Sequence, residues 1–414
     1  MFSRAENKSQ GYKEKMFFGL GSIALVLSLG FGFIGLANLS SASKSRMLQA
    51  FESTALQDVV YILLNSYSSL KKTADIIHFP YWFQDSKLET FYLEINPADI
   101  GQMNSALPGK KFVDALEKEN RIFVPAIFTD GGYNTKVDVR YRGFGGVHWN
   151  NGQRSLLVKF PQENLFRGVI KSLDLIVPYR RNFILEVASV ERARLAGIKA
   201  RDIFLVRLNI NGGDAGVYLA QERFSKEWLE VNGYPADSEV FEGGREESNA
   251  SGFWRKGINE DSNDFGSLKA LAFLVEKASD EEFRKNIGTI LDLEAWYKGI
   301  AMRVLSGSAH SSQLGNFNLF LNSATGRFEP ILEDISGGVW EEIAGDIKDI
   351  YAFFDPITKR VLSVPEFYND YRNVLSGFLD EEVSKDLALY DSLYEEFRVE
   401  FYKEDRKSVC RERV

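Results

Sequence analysis

The chain has little cysteine: a single residue, Cys410, in 414. No internal disulfide can form, so a disulfide framework is excluded as a source of stability. Histidine is scarce too. His78, His148 and His310 lie far apart and match no zinc-ligand spacing. Basic charge is in deficit: 50 Lys and Arg against 58 Asp and Glu give a formal net charge of −8. That argues against a general nucleic-acid binder while leaving room for a local basic pocket. A Walker-type phosphate loop and a Gly-x-Ser-x-Gly elbow are both missing, which removes P-loop and α/β-hydrolase chemistry. Internal repeats and low-complexity tracts are missing as well.

Long apolar runs are absent with one exception. MFFGLGSIALVLSLGFGFIGLAN (16–38) is apolar, and no charged residue occurs from Met16 to Ser43. About 20 apolar residues span a bilayer core. Arg4, Lys8, Lys13 and Lys15 precede the run, so the positive-inside bias sets the N-terminus in the cytoplasm. The run is longer than the apolar part of a cleaved leader, although LANLSSAS offers small residues to a peptidase. The expectation is a single-pass signal-anchor in a bacterial-type cell membrane, with residues 1–15 cytoplasmic and the bulk of the chain extracytoplasmic. Residues 39–85 then form a helical stalk, since 45–77 carries apolar residues at mixed three and four spacing. At the other end, DRKSVCRERV (405–414) turns abruptly basic and resembles adapter-derived sequence; Cys410 receives no role.

With 44% hydrophobic and 13% aromatic residues, the body can fill a sizeable core. ETFYLEI (89–95) reads as a strand, and NPADIGQMNSAL as a short helix capped by Asn96 or Asp99. Residues 121–144 read as a hairpin around Asp130-Gly131-Gly132, 154–160 as a strand, and 179–197 as a helix stopped by Gly197. Residues 203–224 read as a second hairpin turning at Asn211-Gly212-Gly213-Asp214. Residues 225–265 are polar and glycine-bearing and read as a loop or hinge. Helices follow over 266–285 and 289–306, then a third hairpin, then helices over about 365–404. The predicted class is α+β and bilobal, with a strand-rich lobe over about 86–224 and a helix-rich lobe over about 266–404.

Four of these segments, in this order, resemble the CotH kinase-like family, relatives of the spore-coat protein CotH. VDVRYRGFGGVHWNNGQRSLLVKF (137–160) is similar to the family's Arg-x-Arg-Gly strand followed by a basic residue and serine. It places Arg140, Arg142, Gly143, Arg154, Ser155 and Lys159 on those positions. RRNFILEVASVERARLAGIKA resembles the family's Arg-Asn helix. LNINGGDAGVYLAQERF places Asn211, Gly212, Gly216, Tyr218 and Glu222 on a third motif. GNFNLFLNSATGRFEPILEDISGG (315–338) is similar to the family's hairpin ending on an acidic residue. The likeness runs over about 90–340. It implies a distant kinase-like bilobal fold (here with an N-terminal transmembrane helix), ATP and Mg2+ as cofactors, and phosphoryl transfer to a protein substrate.

Phosphoryl transfer needs cations over the phosphates, a metal held by carboxylate or amide oxygens, and a base near the acceptor hydroxyl. Arg154 is the candidate phosphate cation. Arg140 and Arg142 share one strand face, as a phosphate clamp or an ordinary exposed face. The resemblance sets Glu222 near the nucleotide at the lobe junction; the alternative is a carboxylate ahead of a helix. Asp334 is the metal candidate, with Asn316, or less favourably Asn318, as a second ligand. The sequence departs from the family where a catalytic Asp is expected upstream of Asn316. Ser311 and Ser312 stand there, with His310 adjacent as an alternative proton acceptor, and Ser336 replaces a second acidic residue. Three readings therefore stand: an ATP- and Mg2+-dependent protein kinase, a non-catalytic scaffold in cell-envelope or surface-polymer assembly, and a polymer-modifying enzyme stacking sugars on the aromatic run HFPYWF (78–83). Partners expected are the membrane, a protein substrate or envelope partner, and no nucleic acid.

Overall fold

The computed structural model describes residues 81–411 apart from 82, 109–115, 150–152, 179–182, 244–253, 260–261, 307–315, 336–354 and 382. These belong to the second of two units, Tyr81–Val414. The membrane run, nearly all of the stalk, and His310, Ser311, Ser312 and Ser336 lie outside the described residues. No described helix is long and apolar enough to cross a membrane.

Strand-rich and helix-rich halves are both present, as the α+β expectation requires. The first half is a closed barrel of seven strands: β1 (Thr90–Ile95), β2 (Val124–Asp130), β3 (Tyr133–Tyr141), β4 (Leu156–Lys159), β5 (Ser172–Ile176), β7 (Ile203–Ile210) and β8 (Gly213–Glu222). Its order is β1-β2-β3-β4-β5-β8-β7. All neighbours are antiparallel except β1 and β7, whose parallel pairing closes the ring. Alternation directs one set of side chains inward. Phe91, Leu93, Phe128, Val139, Val158, Leu173 and Leu208 are buried together, with Phe128 edge-on to Phe91, Phe160 and Phe166. Such aromatic pairs add to simple area burial. Both glycine turns form as the sequence predicts. Gly131 has φ 51°, while Asn211 and Gly212 have φ 52° and 79°, the left-handed pair a tight hairpin turn requires. Asn211 also clips β1: its side chain accepts from Ile95 N and donates to Ile95 O, both at 2.7 Å. Its motif position thus has a structural reason.

Outside the barrel, α1 (Pro97–Ser105) is capped by Asn96, whose side chain accepts from Ala98 N. Helix α2 (Phe183–Leu195) is followed by Gly197 at φ 74°. The region 225–265, read as a loop or hinge, instead holds α3 (Lys226–Val231), β9 (Glu239–Gly243) and β10 (Trp254–Lys256). The two strands join β11 (Asn318–Asn322), β12 (Arg327–Leu332) and the two-residue β6 (Lys199–Ala200) in a second sheet ordered β10-β9-β11-β12-β6. The polar composition misleads because the charges of β9 and β10 are paired on both faces of the sheet, and Lys256 is itself buried over the Phe241 and Phe265 rings. Lys256 pairs with Glu239, and Arg255 with Glu242.

The helix expected over 266–285 is two helices, α4 (Gly266–Glu276) and α5 (Asp280–Ile290). Ser279 caps α5 by accepting from Glu282 N, and three acidic residues fill its first turn, the arrangement that starts a helix. Helices α6 (Leu293–Leu305), α7 (Pro356–Leu362) and α8 (Pro365–Glu381) complete this layer, and α9 (Val383–Arg411) ends the chain's described part. One core lies between these helices and Phe241, Leu319 and Phe328 of the sheet; another, with Phe224, Trp228 and Phe320, covers its opposite face. Of the aromatic run 78–83, Phe83 is 75% exposed, and residues 78–80 and 82 lie outside the described residues.

Candidate functional site

The site begins on the outer wall of the barrel. In β3, Val139 and Tyr141 point inward, so Arg140 and Arg142 face out. The ladder registers Arg140 against Leu157, Leu157 against Asp174, and Asp174 against Gln221. Asp174 is 1% exposed and held between two arginines. Arg223 Nε donates to both its oxygens at 3.1 and 3.2 Å, and Arg142 Nε approaches Oδ1 at 3.2 Å. Burial alone would raise the carboxyl's pKa, but Arg142, Arg223 and Arg201 outweigh it and hold the group below the usual carboxylate range. The arginines feel one another. Burial, then Arg223 and Arg121, push the Arg140 guanidinium down to about 10 despite Asp174. Burial likewise lowers Arg142, opposed by Asp174 and by two carboxylates of the second sheet's side, Asp334 and Glu242.

Those carboxylates stand at strand ends. β11 and β12 pair Asn318 with Ile331 and turn through 323–326, with Gly326 at φ 69°. The hairpin therefore returns Asp334 to Asn316, whose Nδ2 donates to Asp334 Oδ2 at 2.9 Å. One step along, Asn318 Nδ2 donates to Glu333 Oε2 at 2.5 Å, and the other oxygen of Glu333 is ion-paired with Arg201. Asp334 itself has φ 54°, a left-handed backbone uncommon for a non-glycine residue and frequent at functional sites.

The sequence-predicted residues separate into groups. Asn316 and Asp334 meet, and Asp334 acts electrostatically on Arg142. Arg140 and Arg142 share a wall with Asp174. Arg154 goes elsewhere: its Nη1 donates to the Asn104 side chain on α1 and to Tyr141 Oη at 2.8 Å, with the guanidinium 5.1 Å over the Tyr141 ring. Glu222 stands at the end of β8. Burial, then Asp202, push its carboxyl up to about 7, with Arg201 opposing and Glu227 adding. Its carbonyl is tied to the acidic hairpin end by Arg201, which donates to it at 3.4 Å and pairs with Glu333.

Sequence reasoning missed Asp174, Arg201 and Arg223, along with Glu242. One signal was available. Counting outward from the Asn211-Gly212 turn, Ile203 opposes Gln221, so Arg201 and Arg223 fall at matching positions of the hairpin's arms.

Among the described residues, no three His, Cys, Asp or Glu side chains gather as metal ligands. The donors present are one carboxylate, Asp334, and one amide, Asn316. Magnesium accepts such a set, because it keeps several waters and takes substrate phosphate oxygens.

A family model described as CotH kinase protein matches residues 139–408. No curated protein matches. Among solved structures, the Shewanella oneidensis MR-1 toxin–antitoxin complex of HipA, HipB and operator DNA aligns at 12% identity with a TM-score of 0.30, covering 58% of this chain and 57% of that one. The chain thus spans just over half the length of the solved chain it matches.

Proposed function

This chain belongs to the CotH kinase protein family, and from that premise we propose a membrane-anchored atypical protein kinase that transfers phosphate from ATP to protein with Mg2+. The observation that carries the proposal is the Asn316–Asp334 pair, with Asp334 acting electrostatically on the half-buried Arg142. Asp334 and Asn316 hold the metal, which when bound neutralises phosphoryl oxygens. Arg140, Arg142 and Arg223 receive phosphate, Arg142 and Arg223 exchanging part of their hold on Asp174 for it. Arginine suits this because its planar fork grips phosphate bidentately. Glu222 lies on the nucleotide side, and Arg154 braces the loop after β3 against α1. His310 takes the acceptor's proton beside Ser312. The segment 16–38 holds the chain at the cell membrane, and the acceptor is a protein.

A second reading is a non-catalytic scaffold with the same fold. It is favoured by the Asp174 clamp, in which Arg142 and Arg223 already have a carboxylate between them. Titrating the detergent-solubilised full chain with ATP in a calorimeter, with and without Mg2+, and following transfer of radiolabelled phosphate decides between them. Metal-dependent binding with transfer supports the kinase, and binding without transfer supports the scaffold. Neither outcome appearing, with Mn2+ tried as well, sinks the nucleotide reading. Asp334→Ala is expected to abolish metal-dependent binding; unchanged binding would remove Asp334 as a ligand.

A further inference from the structure

The chain passes from the second sheet into the barrel in two residues, Arg201 and Asp202, between the end of β6 and the start of β7. Arg201 is 5% exposed. The parallel register pairs Lys199 with Ile331 and Ala200 with Leu332, so the next residues on each strand, Arg201 and Glu333, arrive side by side. Their side chains are ion-paired. The other arm of the guanidinium donates to the carbonyl of Glu222, the last residue of β8, and its plane lies 4.6 Å over the Phe224 ring. Glu333 is therefore engaged at both oxygens, by Arg201 and by Asn318, which leaves it poorly suited to ligate a metal. It fixes the chain one residue before Asp334, at the point where the backbone turns left-handed. Asn318 is 3% exposed, and its Oδ1 is buried with no hydrogen-bond partner among the described residues; its Nδ2 is committed to Glu333.

We infer that Arg201 is a positioning residue: through Glu333 it sets the direction of Asp334, and through the Glu222 carbonyl it ties that direction to the crossing between barrel and sheet. The inference rests on the proposed metal role of Asp334 for its functional meaning, but not for its geometry. The carbonyl contact and the ion pair share one rigid planar group, so a displacement of the β8 end reaches the β12 end without a flexible link. A lysine in its place holds the carboxylate or the carbonyl, but not both in that geometry.

The test uses the full chain in detergent and the variants Arg201→Ala, Arg201→Lys and Glu333→Gln. Two readouts are taken: amide hydrogen exchange without metal, and titration with Mg2+ alone in a calorimeter. Arg201→Ala is expected to speed exchange across 332–335 and to weaken Mg2+ binding about tenfold or more, the scale of losing a residue that orients a ligand. Arg201→Lys restores part of the affinity. A role confined to stability would lower the melting temperature of both Arg201 variants while the folded protein binds Mg2+ as the parent does; that result overturns the inference. Should the parent bind no Mg2+, the metal reading fails separately and exchange alone decides. Acceleration at 332–335 upholds the coupling, and acceleration confined to 199–203 rejects it. If Arg201→Ala does not fold, Glu333→Gln, which leaves the arginine's other contacts in place, carries the same comparison.

Discussion

Asp174, buried, and Glu222, half-buried, are two carboxyls pushed in opposite directions. Asp174 lies between two guanidiniums and stays charged; Glu222 has Asp202 and Glu227 for neighbours and only one opposing arginine, Arg201. The folded Glu222 titrates near 7 against an ordinary value of 4.5. The folded state therefore binds a proton that the unfolded chain releases over that window, so stability falls as pH rises through it. Glu222→Gln mimics the protonated form. Its urea midpoint is expected to match the parent's at about pH 5 and to exceed it at about pH 8. A constant difference across that range would show that Glu222 is not held neutral. The environment that raises this pKa was invisible in the sequence, because burial and the approach of Asp202 depend on how β7 and β8 meet the crossing from β6.

Individual elements were legible where turn chemistry announces them. Asp130-Gly131-Gly132 and Asn211-Gly212 dictate left-handed backbone, and the hairpins follow. Strands β9 and β10 were not, because ion pairs absorb their charges and the buried Val240 and Phe241 are adjacent rather than alternating, and the parallel pairing of β6 with β12 rests on two residues that no periodicity can mark. The loop after β3 shows how tightly one element can constrain one position. Gly143 has φ 89°, and a Cβ there would lie 2.3 Å from the His148 ring, which is itself hydrogen-bonded at 3.2 Å to Ser155 Oγ. Gly143→Ala is expected to destabilise the fold by about 1–3 kcal/mol, the range for a side chain forced into a sparsely populated backbone region. His148→Ala should then cost less in that background than in the parent, since part of the crowding is already paid. Additive urea midpoints would mean that His148 is not what confines the glycine.

On the scale of the whole molecule, the arginine group is assembled from β3, the β6–β7 crossing and the end of β8, together with carboxylates from β5, β9 and β12. Its members lie as far apart as residues 140 and 334, which is why the sequence suggested the metal pair, both ends of one hairpin, but not the clamp around Asp174. The last helix has a comparable reach. Arg207 and Glu400 pair at 2.9 Å, Arg192 and Asp386 at 2.6 Å, and Phe397 packs with Ile184 of α2 and with Leu205, Val217 and Leu219 of the barrel wall. Ending the chain after Glu381 uncovers that apolar patch. The truncated protein is expected to bind a hydrophobic fluorescent dye more strongly and to melt less cooperatively. Equal dye binding and an equal melting curve would show that α9 is not part of the barrel's cover.

The pairing of β1 with β7 sets the order in which the barrel can be completed. Thr90 lies opposite Arg207, so more than a hundred residues are synthesised between the two partners of one ladder. Until Ile210 is free of the ribosome, β1 keeps an open edge, and an open edge is a template for pairing with other chains. Contacts this distant in sequence also form slowly. The nascent chain therefore passes through a long interval in which five barrel strands exist without closure, and the susceptibility to misassembly belongs to that interval rather than to the finished fold.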